Sequence, residues 1–159
     1  MADWLTPEQR SRNMAAIKST GTSPELRLGE ALRELFPHRH LYAHPHLPGR
    51  PDFYLPGFRL AIFVDGCFWH GCPEHGHIPA ANRDYWELKL ARNMSRDHDA
   101  QLRLRELGVR TLRLWEHEVS AKTIHIAMQR IREVALAYAE GQANGRPGPI
   151  TLCPRRKKH

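Results

Sequence analysis

The feature that most constrains the fold of this chain is the stretch VDGCFWHGCPEHG, residues 64 to 76, where two cysteines and two histidines crowd around a Phe-Trp pair. Cys67, Cys72 and His75 give the spacing C-x4-C-x2-H, and His117 stands far downstream in Trp115-Glu116-His117-Glu118. Thiolates and imidazole nitrogens in a closed set of four suit a structural, tetrahedral Zn²⁺ with no open position for a substrate. His77 competes with His75 for the third place, and a pair of reduced buried cysteines is the alternative to any metal. Cys67, Cys72 and Cys153 cannot all pair within one chain, and two of them sit beside histidines. That favours metal ligation over a disulfide framework.

The punctuation of the rest predicts one α/β domain. Thr6-Pro7-Glu8-Gln9 reads as a capping box opening a short basic helix to about Ile17, with Arg10, Arg12 and Lys18 along it. Ser23-Pro24-Glu25 restarts a helix in which Leu28, Ala31, Leu32 and Leu35 recur at helical spacing until Pro37. Asp52-Phe53-Tyr54-Leu55 and Leu60-Ala61-Ile62-Phe63-Val64, separated by Pro56-Gly57, read as a hairpin with a buried second strand. A long helix is expected from Pro79 to Leu107, stopped by Gly108, then a strand from Val109 to Trp115 and a closing helix from Ala121 to Ala139. The order helix, strand, strand, helix, strand, helix predicts a mixed central sheet flanked by helices. The divisions expected are a basic N-terminal helix over 1–20, a core domain over 21–140, and a flexible basic tail over 141–159 that ends in Arg155-Arg156-Lys157-Lys158-His159.

Net charge is +7 over 159 residues, which points to a polyanionic partner such as nucleic acid. The start MADWLTPEQR has no apolar h-region and no later run reaches the roughly 18 apolar residues of a membrane span, so a soluble, cytoplasmic protein is expected. Asp52 opens the first strand of the hairpin and Asp65 ends the second. Two carboxylates at the mouth of adjacent strands can hold a hard divalent cation such as Mg²⁺, with a backbone carbonyl completing the set. Glu25 upstream and His70 just beyond Asp65 add an acid and a base, and His70 is suited to activate water beside a phosphate. A lysine after the second strand, usual in PD-(D/E)XK nucleases, is missing: Val64-Asp65-Gly66-Cys67 stands there.

GRPDF, IFVDGCFWHGCP, the series Trp86, Lys89, Asn93, Arg96-Asp97, and LWEHE together resemble the very short patch repair (Vsr) endonucleases, over about Arg10 to Glu118. The resemblance implies a single-domain, restriction-endonuclease-like core with a structural zinc. It implies a Mg²⁺-dependent enzyme that nicks one strand 5′ of the thymine in T:G mismatches left by 5-methylcytosine deamination. By position, Asp52 matches the Mg²⁺ ligand, with the Val64 carbonyl as the other direct contact, His70 matches the catalytic histidine, and Glu25 and Asp97 match supporting acids. Asp65 stands where the better-known members have histidine, so it is either an additional metal ligand or a partner for His70. Cys67, Cys72 and His75 fall at zinc positions; the fourth, cysteine in many members, is His117 here. Phe68, Trp69 and Trp86 match aromatic wedges, and Met14 an intercalating position; unstacking a base step costs a few kcal/mol, least at a mismatch. Lys89 and Asn93, one helical turn apart, match contacts to the T:G pair. Arg10, Arg12 and Lys18 are expected on phosphates. The expected partner is mismatched double-stranded DNA, bound by a monomer at the bacterial nucleoid, with mismatch-repair or methyltransferase proteins as further candidates. The rival readings are a related nicking nuclease with another target and a catalytically inactive, zinc-stabilised DNA-binding protein.

Overall fold

The computed structural model describes residues 20–37 and 46–143, with Thr6, Glu8 and Gln9. The capping box expected at residues 6–9 is present, with the Thr6 N–H donating to Gln9 Oε1 at 2.9 Å and the Gln9 N–H to Thr6 Oγ1 at 3.2 Å. Arg10, Arg12, Met14 and Lys18 of the expected helix lie outside the described residues, as does the tail beyond 143. Within them the elements run α1 (Ser23–Leu35), β1 (Phe53–Leu55), a 3-10 turn (Pro56–Phe58), β2 (Leu60–Asp65), α2 (Arg83–Glu106), β3 (Arg110–Trp115), a second 3-10 turn (Glu116–Val119) and α3 (Ile124–Ala143). The sheet order is β1-β2-β3, with β1 antiparallel and β3 parallel to β2. This is the mixed sheet with helices that the periodicity predicted.

Alternation along β2 divides its side chains between two apolar layers. Leu60 and Ile62 join Leu55, Leu112 and Leu114 against Leu28 and Leu32 of α1 and Ile131 of α3. Ala61 and Phe63 turn to the opposite face, against Leu104 of α2 and Val109. A strand covered on both faces reads as continuously apolar, which is why Leu60 to Val64 shows no polar alternation. Only the C-terminal part of α2 packs on the sheet. Its other half leans over the loop that follows β2, where Gly71 would place a side-chain carbon 3.2 Å from Met94 Sδ.

Two helix boundaries carry information. α2 ends in a Schellman arrangement, with the Gly108 N–H donating to Arg105 O at 2.9 Å and the Val109 N–H to Leu104 O at 2.8 Å. The Arg59 guanidinium then ties the β1–β2 turn to this end by donating to Leu107 O at 2.6 Å. α3 begins at Ile124 and runs past Gly141 to Ala143, where the sequence had placed the start of the tail. One glycine costs a helix about 1 kcal/mol relative to alanine, too little by itself to stop it.

The chain reaches Asp52 through a tight turn at Gly49-Arg50, with Gly49 at φ +76°. A side-chain carbon there would lie 2.8 Å from Ala100 Cβ and 3.2 Å from the Phe63 ring. Gly49→Ala combines a left-handed backbone with a clash against two packed elements, and is expected to destabilise by about 1–3 kcal/mol in urea denaturation. An unchanged denaturation midpoint would show that this turn is not the constraint on Asp52 described here.

Candidate active site and metal centre

Three acidic positions converge where the strands end. Asp52 immediately precedes β1, and its Oδ2 accepts the Val64 N–H at 2.7 Å, which pins it to the far end of β2. Glu25, in the first turn of α1, accepts from the Gly21 N–H at 2.7 Å and from Thr22 Oγ1 at 2.8 Å. Burial pushes the Asp52 carboxyl up to about 6; the Val64 N–H works against this, and the Glu25 and Asp65 charges add to it. A carboxylate held in this way is better satisfied by a bound cation than by its neighbours. A cleft of about 680 Å³ opens beside them, lined by Glu25, Val64, Trp69, His70, Lys89 and Asp97 among others.

His70 sits in the loop after β2 and is oriented from α2. Its Nδ1 lies 2.7 Å from Asp97 Oδ2, whereas Asp65 Oδ1 is 3.9 Å away. An anionic Asp97 accepts the Nδ1 proton, and Nε2 is then the nitrogen available for chemistry. Burial opposes charge on the ring, but the Asp97 bond and the charges of Asp65 and Asp97 raise its pKa overall. Burial alone would raise Asp97, yet the His70 bond and the Arg113 charge hold it below the usual carboxylate value.

Asp65 lies within ion-pair distance of His70, at 3.9 Å, but its main partner is one the sequence reading did not name. Asp65 is 4% exposed, and both of its oxygens are engaged by Arg113, Oδ2 by Nε and Oδ1 by Nη2, each at 2.5 Å. Arg113 Nη2 also reaches Asp97 Oδ1 at 3.1 Å. Asp65 is therefore the counter-ion of an arginine, and the imidazole partner is Asp97. The sequence reading passed over Arg113. Its available signal was a cation in mid-strand, on the face of β3 opposite Leu112 and Leu114.

The cysteine and histidine positions come together as one cluster. Ligand atoms of Cys67, Cys72, His75 and His117 all lie within 4.8 Å of one another. His117 Nδ1 is 3.1 Å from Cys67 Sγ and 3.9 Å from Cys72 Sγ, and His75 Nδ1 is 3.9 Å from Cys72 Sγ. A tetrahedron with metal–sulfur distances of about 2.3 Å and metal–nitrogen distances of about 2.0 Å has edges close to these. Glu74 lies 3.6 Å from His117 Nε2, the outer nitrogen of that ring. Burial pushes the Cys67 thiol up to about 12, a penalty on the thiolate that a cation among these donors would offset. His77, the competitor for His75, lies instead against the Phe68 ring, with centroids 5.6 Å apart.

Beside the cleft the aromatic residues form a platform. Phe68 meets Trp69 and Trp86 edge-on, with centroids 4.9 and 5.2 Å apart, and none of the three is in the buried core. Lys89 Nζ lies 5.3 to 5.6 Å from the Trp69, Tyr85 and Trp86 rings, and Asn93 Nδ2 donates to Trp69 O at 3.2 Å. Half-exposed indoles with a cation above them offer π-faces and positive charge to the same solvent-facing region.

Residues 2–75 match the family model described as DNA mismatch endonuclease Vsr. The DNA mismatch endonuclease Vsr of Escherichia coli (strain K12) is 40% identical over 122 residues, covering 73% of this chain and 74% of that protein. This chain belongs to the Vsr family of endonucleases. The type II nicking enzyme V.NaeI of Lentzea aerocolonigenes is 43% identical over 113 residues, covering 69% of this chain and 68% of its own. The type II nicking enzyme V.NmeDIP of Neisseria meningitidis serogroup C is 38% identical over 133 residues, 82% of this chain and 88% of that one. The Vsr match ends at His75, so it spans Asp52, His70 and three of the four metal-cluster residues, while Asp97, Arg113 and His117 lie beyond it. Among the described residues of this Vsr chain, no helix is long and apolar enough to cross a membrane.

In this Vsr chain, Asp97→Asn is expected to lower stability near neutral pH, because the lowered Asp97 pKa favours the folded state. That contribution is complete above the ordinary carboxylate value of 3.8 and is lost as pH falls through the lowered folded value. Denaturation curves of both proteins across a pH series should show the gap closing on acidification. A gap that does not narrow would count against an ionised Asp97 in the network.

Proposed function

We propose that this protein is a Mg²⁺-dependent DNA mismatch endonuclease, built on a restriction-endonuclease-like core with a structural Zn²⁺, that nicks one strand 5′ of the thymine in a T:G mismatch. The observation that carries the reading is an oriented imidazole, His70, on a cleft lined by Glu25, Val64 and the half-exposed Trp69, with the cation-seeking carboxylate of Asp52 bonded to the Val64 N–H at its margin. In it, Asp52 and the Val64 carbonyl hold Mg²⁺, with Glu25 as a supporting acid at the same edge. The bound Mg²⁺ supplies charge neutralisation of the scissile phosphate.

The protein's own groups do the rest. His70 Nε2 takes a proton from the attacking water while Asp97 steadies the Nδ1–H. Oxygen from that water bonds to phosphorus, the P–O3′ bond breaks, and the departing O3′ is protonated from solvent. The products are a 5′-phosphate on the thymine strand and a 3′-hydroxyl. Phe68, Trp69 and Trp86 enter the stack with Met14 as a further intercalating residue, and Lys89 and Asn93 meet the mismatched pair. Arg10, Arg12 and Lys18 neutralise phosphates, so binding weakens with salt. Cys67, Cys72, His75 and His117 hold Zn²⁺ and thereby fix the loop that presents both the aromatics and His70.

A second reading, a nicking enzyme with another mismatch or sequence target, is favoured by the relatives named as type II nicking enzymes. Duplexes carrying each mismatch in several contexts, incubated with Mg²⁺, separate the two. T:G duplexes are expected to be nicked selectively, with Asp52→Ala and His70→Ala each slowing cleavage at least about a hundredfold while duplex affinity changes little. Equal cutting of matched DNA overturns the repair reading, and unimpaired cleavage by both variants overturns the mechanism. Binding without cleavage by the unaltered protein would leave the inactive, zinc-stabilised binder.

For the metal cluster, elemental analysis is expected to return about one zinc per chain, with Cys72→Ala or His117→Ala losing both the metal and several kcal/mol of stability. Freshly purified protein without zinc would refute the assignment.

A further inference from the structure

Arg113 is a charged side chain in the site that the reaction above does not use. In the parallel register it stands opposite Phe63, and its guanidinium lies 4.9 Å from the centre of that ring. Nε and Nη2 grip both oxygens of Asp65, and the same Nη2 reaches Asp97 Oδ1 at 3.1 Å. Asp97 thus divides its carboxylate, with Oδ1 to Arg113 and Oδ2 to His70 Nδ1 at 2.7 Å. The arginine side chain is only 13% exposed, placed to act on other side chains rather than on a phosphate.

We propose that Arg113 is a positioning residue for His70: anchored on Asp65 and Phe63, it holds one oxygen of Asp97 so that the other fixes His70 Nδ1 and leaves Nε2 toward the cleft. Two features of the geometry require an arginine. Asp97 projects from α2, and a carboxylate bonded only to the imidazole would turn with it; the second bond removes that freedom. Asp65 Oδ1 lies 3.9 Å from His70 Nδ1, so an unoccupied Asp65 would be a second acceptor for the same N–H and would favour a second ring orientation. The planar fork of a guanidinium can hold both carboxylates at once, which a single ammonium cannot do with the same geometry. The inference rests on the reading of His70 as the base.

The test uses Asp65→Asn combined with Arg113→Met, which keeps an apolar side chain beside Phe63 and leaves no unpaired charge at position 65, while Asp97 keeps its bond to His70. Single-turnover nicking is expected to slow at least about tenfold, with duplex affinity changed less than about twofold. In an Asp97→Asn background the same pair of changes is expected to add no further slowing, because Arg113 acts through Asp97. Full-rate nicking by the folded variant overturns the proposal, as do rate losses that multiply independently of Asp97→Asn. Nitrogen-15 spectra of the imidazoles, with His70 assigned by comparison with His70→Gln, give a readout that needs no cleavage. An Nδ1–H tautomer for His70 in the unaltered protein and a mixture in the variant support it, and the same spectrum in both overturns it. If the unaltered protein nicks no duplex, the reading of His70 as base fails, while these spectra still decide whether Arg113 fixes the ring.

Discussion

The parallel pairing of β2 with β3, in register from Leu60↔Arg110 to Asp65↔Trp115, is the constraint on which the rest of the site depends. Because both strands run the same way, both C-terminal ends emerge at one edge. The loop beginning at Gly66 and the turn beginning at Glu116 are therefore neighbours, and Cys67 N–H donates to Glu116 Oε1 at 2.8 Å. That proximity brings His117 to Cys67 and Cys72. An antiparallel β3 would have carried His117 to the opposite edge, and the cluster would be one ligand short.

Charge is arranged around this edge so that each buried ion has a partner. Asp65 and Asp97 meet one arginine, His70 meets Asp97, and the Arg113 guanidinium lies over an aromatic ring rather than in water. Removing one member of such a set leaves a buried charge uncompensated, which is more costly than the pair itself is favourable. Asp52 is the exception. It is held by backbone N–H groups, Val64's foremost, and faces the like charges of Glu25 and Asp65, an environment in which a carboxylate gains from a divalent cation. Asp65 is thus saturated by a guanidinium, whereas Asp52 is not.

Residues 64–76 interleave these duties along one loop. Asp65 is committed to Arg113, Cys67 and Cys72 to the cluster, Phe68 and Trp69 to the aromatic platform, and His70 to Asp97. Much of this was legible from spacing: a tight C-x4-C-x2-H run leaves few ways to gather its side chains, and His70 falls outside that spacing. The element order was legible for the same local reasons, since proline, glycine and hydrophobic period act within a few residues. The end of α3 was not, because a lone Gly141 opposes a helix only weakly. Nor was the role of Asp65, whose partner lies 48 residues away.

By itself, then, the sequence determined the kinds of element, the apolar character of β2, the net positive charge and the inventory of ligand-forming side chains. Those properties depend on backbone sterics, on side-chain chemistry and on neighbours close along the chain. Only the tertiary structure decided that His75 rather than His77 joins the cluster, that Asp97 rather than Asp65 holds His70, and that Arg113 links the two acids. The choice at His70, for one, is the difference between 2.7 and 3.9 Å from its Nδ1. Strand register and the lie of α2 over the sheet set such differences, and no period or spacing along the chain encodes them.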